Sequence, residues 1–390
     1  MALPLAGSLG NLIRLEPLPL DRLPHHPAFD EIKYDRSPAN GKYSNGTTKK
    51  TIPPENGPKL DVIEDQPRSD NELDQETTRQ GSFTPAPERP DLLVFIEEVI
   101  NQATAFVGEL TPLTRGVTRP DWQDQEPEPG SKVDPPKRWT TKAPKKFKKT
   151  PIDIYKRTVT KPELIGVAWD AKPVPRRTPQ FEDKESCKNE TWFARVSEHT
   201  DVIEQDTVNY NEFLDGLKVE HALHEQEYTP ELVDAHQVLA WDIAPAMTAG
   251  ESGVLTMSIH EMTHKLPFPL SPRTFPVLII TAIMPRSAFI VVQIPLADVS
   301  SLPMSRAHIT SAPPTVPGIY ASIERCQSWH RLASIDVHDG RTVEWLMATA
   351  SDAKGVLPGW LQASAIPGAI SKDVGRFIEW VASTRGVETD

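Results

Sequence analysis

Arg341-Thr-Val-Glu-Trp-Leu-Met-Ala-Thr-Ala-Ser351, with the stretch that follows it to Gly386, decides the fold. Val343, Trp345, Met347 and Thr349 alternate with Glu344, Leu346 and Ala348, the two-residue period of a strand with at least one covered face. After Asp352-Ala-Lys-Gly355 the period changes. Leu357, Trp360, Leu361, Ile366, Ile370, Val374, Phe377, Ile378 and Val381 fall mostly three and four apart, which predicts one long helix with a wide apolar stripe. Pro358 sits where a first turn tolerates proline, and Pro367 inside the pattern predicts a kink or short break. A stripe that wide needs a surface to lie on, and a sheet supplies one.

Working back along the chain, the strand signals accumulate. Residues 190–198 place Trp192, Ala194 and Val196 on one face, and residues 232–243 alternate Val233, Ala235, Gln237, Leu239 and Trp241 against Asp234, His236, Val238, Ala240 and Asp242. Residues 253–264, 277–284, 288–296 and 318–328 read the same way, so with the closing strand the sheet has about seven strands. Short connections such as Met284-Pro-Arg-Ser287 make it antiparallel. Phe289, Ile290, Val291 and Val292 are apolar on both sides, as when helix covers one face and a second layer the other. Helices are predicted over 92–107, capped by Asp91, over 209–228, and briefly over 152–159. The fold class is α+β.

Composition sets the domain plan. Of 390 residues 39 are proline and only 38% hydrophobic, so part of the chain is expected not to fold. Residues 1–27 carry Leu9, Leu12, Ile13 and Leu15 at near-helical spacing and read as either a docked segment or a frayed terminus. Residues 28–90 are polar, with seven acids and one base between 61 and 76, and are expected to be disordered. The folded domain is 91–386, interrupted by a proline-rich surface loop over 111–136.

A net charge of −12 argues against nucleic acid as a general partner. Two cysteines, Cys187 and Cys326, cannot build a disulfide framework, which suits a reducing compartment. The N-terminus lacks a basic flank, and the longest apolar run, 275–284, is about half of what a spanning helix needs. A cytoplasmic protein is expected, its oligomeric state left open.

His260-Glu-Met-Thr-His264 matches the H-E-x-x-H zinc pattern, but that chemistry needs a helix. Here Leu255, Met257 and Ile259 alternate into it and Pro267 and Pro269 follow, so the context is a strand, where positions 260 and 264 lie about 13 Å apart. His221 and His224 have helical spacing without a third ligand in register, and Cys326 reads as packing. No Gly-rich phosphate loop, nucleophile elbow or Cys-x-x-Cys pair is present. No metal, cofactor or catalytic residue is expected.

The run Ala350-Ser-Asp-Ala-Lys-Gly-Val-Leu-Pro-Gly-Trp-Leu-Gln362 before a long final helix resembles the end of START-type lipid-transfer domains. Trp192-Phe-Ala-Arg-Val-Ser-Glu-His199, His260-Glu-Met-Thr-His-Lys-Leu-Pro-Phe-Pro-Leu-Ser-Pro-Arg-Thr-Phe275 and Gly318-Ile-Tyr-Ala-Ser-Ile-Glu-Arg325 resemble a fungal START-like family of unassigned function. The resemblance covers residues 91–385. It implies a helix-grip fold, a curved antiparallel sheet wrapped around the C-terminal helix over a hydrophobic tunnel. It also implies non-catalytic binding or transfer of a lipid or sterol. START-like relatives include cyclases and hydrolases, so an enzyme using His260, Glu261 and Arg325 is the alternative, and an adaptor with a filled core is another.

A tunnel of that kind would be lined from the sheet by Trp241, Met257, Ile259, Ile279, Thr281 and Ile323. Trp345 and Met347 extend the lining, and Trp360 and Phe377 add to it from the helix. Each of these residues fits an ordinary core equally well. Glu261 and Arg325 continue the apolar faces of their strands; facing inward they would form a buried pair that orients a head group, and facing outward they would lie on the rim. Residues 266–272 and 297–317, rich in proline, are the candidate gates. Residues 137–149 hold seven bases and no acid. Lys137, Arg138, Trp139, Lys145, Lys146, Lys148 and Lys149 are either a solvated linker or a contact for an anionic membrane.

Overall fold

A computed structural model describes residues 7–31, 88–110, 138–167, 188–204, 206–244, 255–309, 311, 314–330, 341–354 and 359–385. Most of the expected disordered tract, the loop over 111–136, Lys137, Cys187 and the Trp360 side chain lie outside the described residues. Residues 7–31 and the described residues from 88 onward belong to one compact unit.

The centre is a ten-stranded sheet. Its strands are β1 (Thr140–Phe147), β2 (Thr150–Val159), β3 (Glu190–Thr200), β4 (Leu232–Ala240), β5 (Thr256–His264), β6 (Arg273–Met284), β7 (Ala288–Pro295), β8 (Val316–Pro317), β9 (Ile319–His330) and β10 (Arg341–Asp352). The order across it is β1-β2-β3-β10-β9-β7-β6-β5-β4, with the two-residue β8 pairing parallel to the start of β6. All other pairings are antiparallel. The helices are α1 (Leu92–Val107), α2 (Lys161–Gly166), α3 (Tyr210–Leu217), α4 (His221–Tyr228) and α5 (Gly359–Thr384). A curved antiparallel sheet with a long C-terminal helix is the expected helix-grip architecture.

Three details differ from the sequence expectation. The sheet has ten strands rather than about seven, the additions being β1, β2 and β8. Residues 152–159 are strand, not helix: Ile152 and Ile154 are buried on one face and Val159 on the other, a period of two that a short segment does not display clearly. The helix expected over 209–228 is two helices, because Glu220 takes a left-handed φ of 44° and redirects the chain between them. Pro367 lies inside α5 without ending it.

Both faces of the sheet are covered, which explains strands apolar on both sides. One face carries α1 and the N-terminal segment, with Phe106, Trp192, Ile259, Leu278, Ile290, Ile323 and Leu346 in a shared core. The other carries α3 and α5, with Phe213, Ile279, Phe289, Trp345, Val374 and Phe377. Helix α1 starts on Asp91, whose side chain accepts from the Leu93 and Val94 amides.

The N-terminal segment is not helical over 9–15. It lies on the α1 face as a strap, burying Leu12, Ile13, Leu18, Leu23 and Phe29. Gln102 accepts from the Leu12 amide, Leu18 exchanges backbone bonds with Pro295 and Ala297, and Trp241 Nε1 donates to the His25 carbonyl. Arg89 Nη1 donates to the carbonyls of Leu20 and Leu23.

Candidate functional site

The residues singled out from the sequence divide between the two faces. Trp241, Met257, Ile259 and Ile323 belong to the core under α1 and the strap, and Trp241 packs edge-on against His26 and Phe29. Ile279, Trp345 and Phe377 belong to the core under α5, and Met347 is half-buried. Thr281, two residues from Ile279 on β6, exchanges a hydrogen bond with Thr256.

Glu261 and Arg325 are both buried but do not pair. Glu261 accepts from Ser305 Oγ at 3.1 Å and the Arg306 amide at 2.6 Å, while Arg325 Nη2 donates to Glu344 at 3.1 Å. Their strands, β5 and β9, are separated by β6 and β7, about 14 Å at ordinary strand spacing. His260 and His264 lie on the face of β5 opposite Glu261, along an extended strand. Burial holds both histidines near pKa 4. Among the described residues no group of three His, Cys, Asp or Glu side chains could hold a metal ion.

The structure assembles a different polar cluster, under α5. Arg195 on β3 and Glu324 on β9 flank β10 and stand opposite the same residue, Met347. The Arg195 guanidinium lies 3.7 Å over the Trp345 ring, with Nη2 3.5 Å from Glu324 Oε1. Trp345 Nε1 donates to that same oxygen at 2.6 Å. Arg195 is 0% exposed, yet its Nε and Nη1 have no hydrogen-bond partner among the described residues.

The helices close the cluster. Burial raises the Asp373 carboxyl on α5 to about 6, with Arg195 and Arg376 opposing and Glu225 and Glu324 adding to the shift. Burial likewise pushes Glu225 on α4 upward, with Glu324 adding to the shift. His221 Nδ1 donates to the Leu217 carbonyl at 2.6 Å, which leaves Nε2 to accept from Gln293 Nε2 at 3.0 Å. Gln293 also donates to Glu225 at 3.2 Å. Burial, then Glu324, Glu225 and Asp373, raise the Tyr228 hydroxyl well above its ordinary value, so it stays a neutral donor. Tyr320 completes the group with the Thr349 and Ser322 hydroxyls as hydrogen-bond partners.

Sequence reasoning passed over these residues for a physical reason. Arg195, Ser197 and His199 occupy the polar phase of a strand whose apolar phase, Trp192, Ala194 and Val196, reads as the covered side. Because both faces are covered, the polar phase is interior too. The available signal was an arginine in a strand whose neighbours are apolar on both sides.

Of the membrane-contact candidates, Trp139 is buried against Phe106, and Arg138 donates to the Gly7 carbonyl. Lys145, Lys146, Lys148 and Lys149 are exposed on the β1–β2 hairpin, where Lys148 pairs with Asp206 at 2.5 Å. Phe147 packs against Gly375 of α5.

The chain is similar to several solved structures at low identity. Human STARD10 is 12% identical, with 64% of this chain and 76% of that one covered and a TM-score of 0.37. Human StAR-related lipid transfer protein 5 is 11% identical, covering 65% and 89%, with a TM-score of 0.39. A fragment of the STAR-related lipid transfer protein from Xanthomonas axonopodis is 13% identical, covering 63% and 98%, with a TM-score of 0.37. No curated protein matches the sequence. Residues 192–381 match a family described as protein of unknown function (DUF3074).

Proposed function

We propose that the chain binds a hydrophobic small molecule, a lipid or sterol, between the sheet and α5, without catalysis, and holds its polar end at Arg195. The observation that carries this reading is the fully buried guanidinium with two unpartnered nitrogens. A buried donor left unsatisfied costs about 1–3 kcal/mol, and more when it is charged. A ligand oxygen accepting from Nε or Nη1 removes that cost, while Ile279, Val291 and Phe377 on the same face supply apolar contact. The enzyme alternative has less support, since His260 and Glu261 face opposite sides of β5 and Arg325 is committed to Glu344.

Thermal unfolding against a panel of lipids tests this. Binding to the folded state alone raises Tm in a saturable way. A panel in which no lipid shifts Tm would favour a second reading, an adaptor whose core is filled. That reading draws on the ring contact between Trp345 and Phe377, whose centroids are 5.1 Å apart.

The proposed organisation is an N-terminal segment over 1–27, a linker over 28–90 and a ligand-binding domain over 91–386. No helix among the described residues is long and apolar enough to cross a membrane. We place the chain in the cytoplasm, with peripheral contact to an anionic membrane through the exposed hairpin lysines, each worth about 1 kcal/mol near such a surface. Lysine and Pro144 on β1 also protect a sheet edge from pairing. Flotation with phosphatidylserine vesicles separates the two: loss in a Lys145/Lys146/Lys149→Glu variant supports contact, and unchanged flotation leaves edge protection alone.

A further inference from the structure

The polar contacts of the N-terminal strap run mainly through its own main chain. Gln102 on α1 and Glu190 on β3 accept from the Leu12 and Leu15 amides at 2.8 and 3.0 Å. Arg89 donates to the carbonyls of Leu20 and Leu23 at 2.6 and 3.0 Å, and Trp241 donates to that of His25 at 3.0 Å. Between these points Leu18 forms a parallel bridge to Leu296, its amide donating to the Pro295 carbonyl and its own carbonyl accepting from Ala297. Groups that serve amides and carbonyls along an extended segment supply affinity without reading sequence, the way a groove holds a peptide. Sequence enters through shape. Leu12, Ile13, Leu18, Leu23 and Phe29 fill apolar positions, and a Cβ on Gly10 would run into the Gln102 side chain, so a small residue is needed there.

This groove does not stand empty at low cost. Gln102, Glu190 and Trp241 are all buried with the strap in place, and its withdrawal would strip them of partners and open the apolar floor to water. A second extended segment in the same place restores those bonds and covers the same floor, so exchange is cheap where vacancy is not. The strap is also separable. Among the described residues the Leu18 bridge is its one pairing with the sheet, and residues 32–87 lie between it and the domain in sequence. The Arg89 guanidinium lies 4.4 Å from the centroid of the Phe29 ring, so the chain leaves the groove and re-enters the domain at one place.

We infer that the α1 face is a peptide-binding groove, occupied in cis by residues 7–30, whose partner is an extended segment of another protein with a small residue matching Gly10 and apolar residues matching Leu12, Ile13, Leu18, Leu23 and Phe29. The strap is the competitor of that segment. The groove and the proposed lipid site lie on opposite faces of the sheet, so the two readings fail separately.

The probe is a fluorescent synthetic peptide of residues 7–30. It is added to the full chain carrying a site-specific protease sequence inserted within residues 32–87, before and after cutting, and binding is read by anisotropy. Cutting turns the strap into a dissociable fragment, whereas in the uncut chain it competes at the effective concentration of an intramolecular partner. The cut chain should take up the peptide saturably, with an apparent affinity about tenfold or more above that of the uncut chain. Leu18→Asp in the peptide should weaken binding by about tenfold or more, because it sets a charge in a buried apolar position. No uptake by a folded cut chain, equal uptake by cut and uncut chains, or equal binding of the Leu18→Asp peptide overturns the inference.

If cutting unfolds the chain, hydrogen exchange on the uncut chain decides. Saturating peptide should remove protection from the Leu12, Leu15 and Leu18 amides of the tethered strap, while α1 and β7 keep theirs. Unchanged protection at those three amides overturns the inference and makes the strap a fixed part of the core.

Discussion

Arg195 and Glu324 come from strands 129 positions apart in sequence, yet both stand opposite Met347 and meet across β10 at 3.5 Å over the Trp345 ring. Strand order creates this pair. It places β3 and β9 on either side of the strand that leads into α5, so the charges lie where the helix closes over the sheet.

The first expectation concerns that pair. Removing one partner of a buried ion pair leaves the other uncompensated and costs about 3–5 kcal/mol. Glu324→Gln should therefore lower unfolding free energy by that order in urea titration. Arg195→Met/Glu324→Gln should recover much of the loss, because neither charge remains. A double variant no more stable than Glu324→Gln would show that the pair is not the unit of stability.

Asp373 gives a pH dependence with a defined sign. Its folded pKa of about 6 lies above the ordinary 3.8, so the folded chain binds its proton more tightly than the unfolded chain. Ionised Asp373 is thus a burden on the fold, fully present above pH 6 and relieved as pH falls from 6 toward 3.8. Arg195 and Arg376 face it with favourable charge, and Glu225 and Glu324 with unfavourable charge. Asp373→Asn should be more stable than the parent at pH 7.5, and the advantage should shrink by pH 4. An advantage that stays constant between those two pH values contradicts the assignment.

Gly216 on α3 lies directly against α5. A Cβ there would stand 2.7 Å from Phe377 and 2.8 Å from Trp380. Gly216→Ala should destabilise by about 1–3 kcal/mol through overpacking, despite the better helix propensity of alanine. A rise in Tm on that substitution would mean the helices separate freely at this point.

Gln102 is expected to control the strap. It accepts from the Leu12 amide at 2.8 Å and donates to Asn11 and Glu98 at 2.9 and 2.8 Å. Gln102→Ala orphans a buried backbone donor, at a cost of about 1–3 kcal/mol. Limited trypsin digestion should then cut faster at Arg14 and Arg22, while cutting elsewhere in the domain stays as in the parent. Equal rates at all sites would place the strap's stability in Trp241, Arg89 and the apolar contacts instead.

The architecture was legible where one physical signal dominated. Helix α5 follows from its stripe, and β7 and β10 from alternation within apolar runs. The β1–β2 hairpin was not legible, since β1 is an edge strand made mostly of threonine and lysine, exposed everywhere but at its last residue, Phe147, and so has no buried phase to read. The break between α3 and α4 rests on a left-handed Glu220, a residue with no marked preference for that conformation.

The site was less legible than the fold. Alternation left Glu261 and Arg325 open between interior and rim, and their partners depend on strand order, which spacing does not contain. Arg195 and Glu324 sat in the phase that reads as outward until the second face is known to be covered. Pairing register, rather than any local motif, brings the polar cluster together.

The central claim is that the chain encloses a hydrophobic ligand with its polar end on Arg195. The most direct measurement is native mass spectrometry with lipid extraction on protein purified from a eukaryotic host, the parent and Arg195→Met side by side. One lipid class is expected at near one molecule per parent chain, with most of it lost from the folded variant. A parent that carries no small molecule, or a variant that retains the same lipid at the same occupancy, would contradict it.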